Sequence, residues 1–354
     1  MVGQSVRVLW SRPLHLRSGP QALAVAAGSL VVAERHSRLV RLDPRTGARL
    51  WEQRVEDCQG TAVIAGQRCL YLSQAGVLRC FDLDNGQRLW STPGLGLRYY
   101  VSVCGAVALL GGWRGYHPLT RVALADGRGL PFDDGAAAGA GPLAWPQPVR
   151  WRLEGDRAVD AVLIAGSGSP ELVVMAASGA VLREWSLPEP VVVSDAGGSY
   201  GVSDGGRVTF LSGRRTVMTF HPVNGVQVLW RHERDLRPHT PILHEDTLWL
   251  VDEVGVAVID LVHGAVTAVR RLPYGGVRAA APVPGGVLFA FADGSLATID
   301  RAGHVLGQIR LSARVDRLVP GDNGLTHAIG EGHLATLDTP ATATVPLHWR
   351  ASTG

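Results

Sequence analysis

The residues best suited to recognition chemistry in this chain are aromatic and cationic, and most fall in three stretches. Arg98-Tyr99-Tyr100 is the first, and Gly111-Gly-Trp113-Arg114-Gly-Tyr116-His117-Pro118 is the second. The third runs over about 132–157 and carries Trp145 and Trp151. Trp, Tyr and Arg are the types enriched where binding energy concentrates, because they offer large rigid contact area with a polar handle. The same residues can equally pack beneath a long loop, and both readings stand at this point. Arg237, His239, Arg278 and Asp316 form a second, more scattered set of charged candidates.

Other chemistries find less support. No Ser lies in a nucleophile elbow. Gly166-Ser-Gly-Ser and Gly197-Gly-Ser have no helical pattern behind them to hold an anion, so they read as turns. His232, His239 and His244 are spaced by seven and five residues, which matches no helical metal pair. Solvated or core histidines are therefore expected there, and Asp133-Asp134 reads as solvated charge. Cys58, Cys69, Cys80 and Cys104 are neither paired closely enough for zinc nor dense enough for a disulfide scaffold. They are expected as buried reduced thiols, with a Cys69–Cys80 disulfide as the alternative. No catalytic residue, metal or cofactor is assigned.

The elements that must position these residues follow from composition and repetition. The chain has 354 residues, of which 46% are hydrophobic and 18% charged, so it has ample apolar surface for a core. Its 44 Gly and 21 Pro leave little room for long helices. Net charge is +3 with no Lys and with both signs scattered, which argues against a nucleic-acid partner. The longest apolar runs, such as 22–33, are too short to cross a bilayer as a helix. The opening residues do not have the pattern of a secretory signal. A cytoplasmic location without membrane insertion is expected.

Two segments superimpose in sequence: Leu39-Val-Arg-Leu-Asp-Pro-Arg-Thr-Gly-Ala-Arg-Leu-Trp51 and Leu78-Arg-Cys-Phe-Asp-Leu-Asp-Asn-Gly-Gln-Arg-Leu-Trp90. Asp43 and Asp82, Gly47 and Gly86, and Trp51 and Trp90 are each 39 residues apart. A third copy ends at Trp230. Stepping through Asp43, Asp82, Ala123, Trp185, His221, Asp260, Asp300 and Asp338 gives eight repeats near 40 residues, with one interval of 62. Each repeat reads as four short strands separated by turn residues, which is the pattern of a propeller blade. The expected fold is all-β: a single closed β-propeller domain over 1–354, with eight four-stranded blades and seven as the fallback. An inserted loop is expected at about 132–157. Val6-Arg-Val-Leu-Trp10 reads as a lone fourth strand that closes the last blade and removes the sheet edges, with Leu347-His-Trp349 competing for that place. In the Asp-x-x-x-Gly-x-x-x-Trp run, Asp and Gly form the turn between third and fourth strands and Trp lies against the next blade. Repeats four, six, seven and eight are read as lacking that Trp.

These runs resemble the tryptophan-docking motif of pyrroloquinoline-quinone-like repeat propellers. The resemblance implies a propeller related to outer-membrane assembly adaptors. The quinoprotein dehydrogenases of that kind carry an adjacent Cys-Cys pair and calcium ligands, which are not recognisable here.

Loops between blades and between second and third strands gather on one face of a propeller, at the channel mouth, where function is grafted on a rigid scaffold. Arg98, Tyr99, Tyr100, Trp113, Arg114, Tyr116, His117, Trp145 and Trp151 are expected there around blades three and four, and Arg237, His239, Arg278 and Asp316 at the starts of later blades. The resulting expectation is a non-enzymatic scaffold holding a protein or small-molecule partner. The alternative is a cofactor-poor lyase, cyclase or isomerase, with Tyr99, Tyr100, Tyr116, His117 or His239 as acid or base and Arg98 or Arg114 holding an anionic group. Partner identity and oligomeric state are open.

Overall fold

A computed structural model describes residues 6–14, 23–26, 28–34, 38–55, 60–96, 98–112, 119–132, 143–152, 158–166, 168–192, 201–204, 207–237, 241–253, 255–272, 276–330 and 332–339. They form eight four-stranded antiparallel sheets, and no described residue is helical. The first strand, β1 (Arg7–Pro13), is set apart from the four-strand count that follows it. Blade one is β2 (Leu23–Ala26), β3 (Ser29–Glu34), β4 (Arg38–Leu42) and β5 (Arg49–Arg54). Blade two is β6 (Gly60–Ala65), β7 (Arg68–Ser73), β8 (Leu78–Asp82) and β9 (Arg88–Thr92). Blade three is β10 (Arg98–Cys104), β11 (Val107–Gly112), β12 (Thr120–Ala123) and the short β13 (Gly129–Leu130). Blade four is β14 (Leu143–Arg152), β15 (Ala158–Gly166), β16 (Glu171–Ala176) and β17 (Val181–Ser186). Blade five is β18 (Gly201–Asp204), β19 (Arg207–Ser212), β20 (Thr216–His221) and β21 (Gly225–Arg231). Blade six is β22 (Ile242–His244), β23 (Thr247–Val251), β24 (Gly255–Asp260) and β25 (Ala265–Arg271). Blade seven is β26 (Val277–Val283), β27 (Gly286–Phe291), β28 (Ser295–Ile299) and β29 (Val305–Arg310). Blade eight is β30 (Arg317–Pro320), β31 (Leu325–Gly330) and β32 (His333–Asp338), completed on its outer side by β1. Arg7 pairs with Asp338 and Pro13 with His333, so the ring closes through the N-terminal strand, and the blade count is eight.

Second strands are buried at every position in β3, β27 and β31, because both faces of a blade meet its neighbours. That is why they read as unbroken apolar runs instead of alternating ones. The core is a series of layers between adjacent blades. One joins Trp51 of blade one to Tyr71 and Phe81 of blade two, and another joins Trp249 of blade six to Phe289 of blade seven.

Outer strands carry a register break in seven blades, where they pair with the third strand. A bulge adds twist, blunts the exposed edge and re-aims the next side chain. In blades eight, one and two, the residue after the break is Trp10, Trp51 and Trp90 respectively. Each indole then crosses to the next blade. Trp10 Nε1 donates to Pro44 O at 3.0 Å, Trp51 Nε1 to Leu83 O at 2.7 Å and Trp90 Nε1 to Leu124 O at 3.0 Å. All three acceptors follow the final residue of the third-strand motif. Arginines reinforce two of these seams: Arg41 also donates to Leu83 O and Arg68 to Leu124 O.

Glycine completes the dock. Gly86 has φ of +74°, and a Cβ there would lie 2.8 Å from the Trp51 ring. Only Gly accepts both that backbone and the close approach. Asp43 and Asp82 hold the turns as expected: Asp43 Oδ1 accepts the backbone N–H of Arg45 and Thr46, and Asp82 Oδ1 those of Asp84 and Asn85. In blade five His221 Nδ1 takes over that role toward the Val223 N–H.

Two readings of the repeat are corrected. Trp185 is not the counterpart of Asp43 and Asp82, because it lies in the outer strand β17 and pairs across from Leu172. From there it packs edge-on against Phe220 of blade five, with ring centroids 6.0 Å apart. Blades four and eight therefore do have a seam tryptophan, Trp185 and Trp10. Gly179 lies six residues before Trp185, whereas Gly86 lies four before Trp90, and this spacing misaligns the two in sequence. Blades six and seven have Ala268 and Gly307 at the Trp position.

The stretch expected as an inserted loop is also corrected in part. Residues 143–152 form β14, the innermost strand of blade four, and it pairs with β15 almost throughout. The tail at 347–349 lies outside the described residues. Cys69, Cys80 and Cys104 are buried free thiols, so the disulfide alternative is not formed. Burial pushes the Cys80 and Cys104 thiols up to about 11.

Candidate functional site at the channel mouth

Backbone hydrogen bonds define the mouth face. Segments joining one blade to the next touch turns between second and third strands, as in Leu14 N–H to Gly332 O, Leu95 N–H to Gly76 O and His232 N–H to Arg215 O. The opposite face carries third-to-fourth turns against first-to-second turns, as in Leu83 N–H to Gln67 O. The innermost strands run away from the mouth, so their first residues stand at its rim.

Three innermost strands are bulged at that rim. The β10 register breaks between Arg98 and Tyr100, the β14 register between Ala144 and Gln147, and the β26 register between Val277 and Ala279. The unpaired residues are Tyr99, the pair Trp145-Pro146, and Arg278. The other five innermost strands pair without a break. Blades three and four are neighbours and blade seven lies across the ring from blade three, so the breaks flank the mouth on two sides.

The structure brings some sequence candidates together and separates others. Arg98, Tyr99, Tyr100 and Trp145 start the adjacent strands β10 and β14. Trp151 does not join them, since it lies opposite Val159 at the far end of β14. Six residues of strand separate it from Trp145, roughly 20 Å. Trp113, Arg114, Tyr116, His117 and His239 lie outside the described residues. Arg237 is exposed, and its backbone N–H donates to Val251 O at 2.8 Å.

Arg278 and Asp316, chosen from equivalent places in blades seven and eight, are an ion pair. Arg278 Nη2 lies 2.7 Å from Asp316 Oδ1, and Arg314 Nε shares that oxygen at 3.1 Å. Next along β30, half-buried Arg317 donates to Leu23 O of blade one at 3.2 Å. Burial pushes its guanidinium down to about 10, which still leaves it charged at neutral pH. This part of the rim is a cationic strip with one carboxylate inside it.

Two buried carboxylates were missed. Asp252 Oδ2 lies 3.1 Å from His232 Nε2 and 3.2 Å from Arg234 Nη1, while its Oδ1 accepts the Gly255 N–H. Glu34 is 1% exposed, with Arg38 Nε at 2.6 Å and Arg12 Nη2 at 3.6 Å. Both stand at the mouth end of a second strand and are gripped by cations, one or more from the outer side of the preceding blade. The available signal was a lone acid ending an apolar strand. Each ties a blade to its neighbour. Among the described residues, no three His, Cys, Asp or Glu groups are placed to hold a metal ion.

The fold thus defines an eight-bladed β-propeller in which several seams are docked by a tryptophan. Residues 4–112, from the closing strand into blade three, match the family model described as outer membrane protein assembly factor BamB. Among solved structures, BamB from Moraxella catarrhalis aligns with a TM-score of 0.68 at 14% identity, covering 94% of this chain and 99% of that one. The C-terminal WD40 domain of Sif2 aligns with a TM-score of 0.67 at 12% identity, over 96% of this chain and 99% of that one. The computationally designed Ika8 protein aligns with a TM-score of 0.64 at 12% identity, over 92% and 99%. At these identities the likeness is one of fold. No curated protein matches the sequence.

Proposed function

We infer that this protein is a non-enzymatic binding scaffold whose mouth face, around blades three and four, holds a protein or small-molecule partner. The observation that carries the reading is the coincidence of Tyr99, Trp145 and Arg278 with the register breaks of three innermost strands. Bulges are concentrated at rims and beside sites because they re-aim a side chain out of the ladder. A propeller with several seams closed by tryptophan docks offers a rigid platform for them. Propellers of the BamB and WD40 type commonly mediate protein binding, which supports the same reading. A cytoplasmic setting fits the unpaired thiols of Cys69, Cys80 and Cys104.

The test is capture from the native organism on immobilised wild-type protein and on a Tyr99→Ala/Trp145→Ala double variant, read by mass spectrometry of proteins and small molecules. A partner retained by wild type and lost by the double variant supports the reading. A partner held equally by both removes it.

A further inference from the structure

Three buried polar atoms with no hydrogen-bond partner among the described residues lie on one face of blade five: Thr209 Oγ1, Thr219 Oγ1 and Trp230 Nε1. Thr209, which is fully buried, stands directly opposite Thr219 across β19 and β20. Trp230 of β21 stands opposite Val217, one same-face step along β20 from Thr219. Strand alternation sets both threonines on the side of Leu211 and Val217, which pack with Trp230 against blade six. Their chain neighbours Phe210 and Phe220 face blade four. Directly opposed Cβ atoms are about 5 Å apart, and a diagonal neighbour is within reach of a side chain as long as Trp. All three groups therefore belong to one seam, that between blades five and six.

At this seam the tryptophan dock is not made. Trp51 and Trp90 follow Gly47 and Gly86 by four residues, whereas Trp230 follows Gly225 by five. A Cβ on Gly264, the turn glycine of blade six, would meet nothing within 4 Å, while one on Gly86 would meet the Trp51 ring. The Trp230 indole thus does not lie over the glycine of the next blade, and its N–H finds no carbonyl there. A buried polar group left unmet costs more than an ordinary hydrogen bond contributes, so three on one face call for a common partner.

The surroundings select the chemistry of that partner. Blade six presents Leu248, Leu250, Ile259 and Leu261 to the seam. An ion would lose its hydration there for two hydroxyls and one indole N–H, which is a poor exchange. A neutral molecule that both donates and accepts suits the three atoms, and buried waters make about three hydrogen bonds each. We propose that the seam between blades five and six is a binding site for an ordered water. The water accepts from Trp230 Nε1 and donates to the hydroxyl oxygens of Thr209 and Thr219. It takes the indole N–H as Pro44 O, Leu83 O and Leu124 O do at three other seams.

Thr209→Val and Thr219→Val keep the shape of the side chain and remove one partner of the water. Each is expected to lower the folded-to-unfolded ratio about fivefold in urea unfolding, the worth of one hydrogen bond. Hydrogen exchange is expected to rise in blades five and six ahead of blade one. Thr298 provides the comparison, because its hydroxyl is also buried and unmet but the residues opposite it are Leu288 and Gly307. Thr298→Val is expected to lose nothing. A high-resolution crystal structure of wild type is expected to show a solvent peak about 3 Å from both threonine hydroxyl oxygens. A seam with no such peak overturns the proposal, as do Thr209→Val and Thr219→Val variants that are as stable as wild type or more so. An equal loss in Thr298→Val overturns it too.

Discussion

Trp51 of blade one and Leu83 of blade two are joined by a 2.7 Å hydrogen bond from the indole N–H to the backbone carbonyl. The indole lies over Gly86, whose backbone is left-handed, and Arg41 donates to the same carbonyl. Trp51→Phe removes the N–H and part of the buried ring, while Leu83 O keeps Arg41, so a loss of about 1–3 kcal/mol is expected. Trp51→Ala opens a buried cavity and is expected to cost about 3–5 kcal/mol. Gly86→Ala meets both the positive φ and the ring, for a cost of about 2–4 kcal/mol. Urea unfolding of the three variants gives the order.

Glu34 is a carboxylate with almost no access to water, between Arg38 and Arg12. Glu34→Gln leaves Arg12 without its anion and Arg38 with Glu52 alone. Breaking such a pair on one side is expected to cost about 3 kcal/mol. The change joins blade eight to blade one less firmly, so hydrogen exchange at β1 should rise more than exchange at blade four.

His327 is 1% exposed, and its Nδ1 lies 2.8 Å from Thr336 Oγ1. Burial pushes the imidazole down to about 4 from an ordinary 6.5. Below pH 6.5 the unfolded chain takes up a proton that the folded chain refuses, so stability falls as pH drops and the loss is complete near pH 4. Its full size is about 3 kcal/mol. Thermal melts from pH 7.5 to 4.5 are expected to show a steeper decline in wild type than in His327→Gln, which has no imidazole to titrate.

Arg278 and Asp316 neutralise one another at the rim, with Arg314 sharing the carboxylate. Arg278→Ala and Asp316→Asn should each leave stability within about 0.5–1 kcal/mol, because the pair is partly exposed. Their effects on partner capture should be opposite for an anionic partner: weaker retention for Arg278→Ala and stronger for Asp316→Asn. Equal retention by both variants removes the cationic strip from the binding surface.

The repeat was legible because Asp43, Gly47 and Trp51, like Asp82, Gly86 and Trp90, do a mechanical job that depends on local turn geometry and recurs in several seams. Where that job passed to another residue, as with Trp185 beyond a longer spacer, the alignment slipped. Closure by the N-terminal strand was legible because Trp10 imitates Trp90. The rim bulges were not, since a register break is a property of two paired strands and neither shows it alone. Trp151 was grouped with Trp145 by proximity in sequence, whereas a strand carries them to opposite ends. Asp252 and Glu34 were passed over because their cationic partners come from distant parts of the chain.

Arg7 and Asp338 are 331 positions apart in the chain yet side by side in one blade. The strand that locks the ring leaves the ribosome long before its partner strands exist. Until β32 emerges, β1 can touch blade one through Trp10 and Arg12 but has no strand to pair with, so closing the circle is the last long-range pairing in assembly. The covalent break in the circle is thus set inside a blade, with the eight gaps between blades all bridged by continuous chain. Opening the ring at that break takes the withdrawal of a single outer strand, β1. A short linker joining the two ends, with a new opening cut between any two blades, would move the break elsewhere.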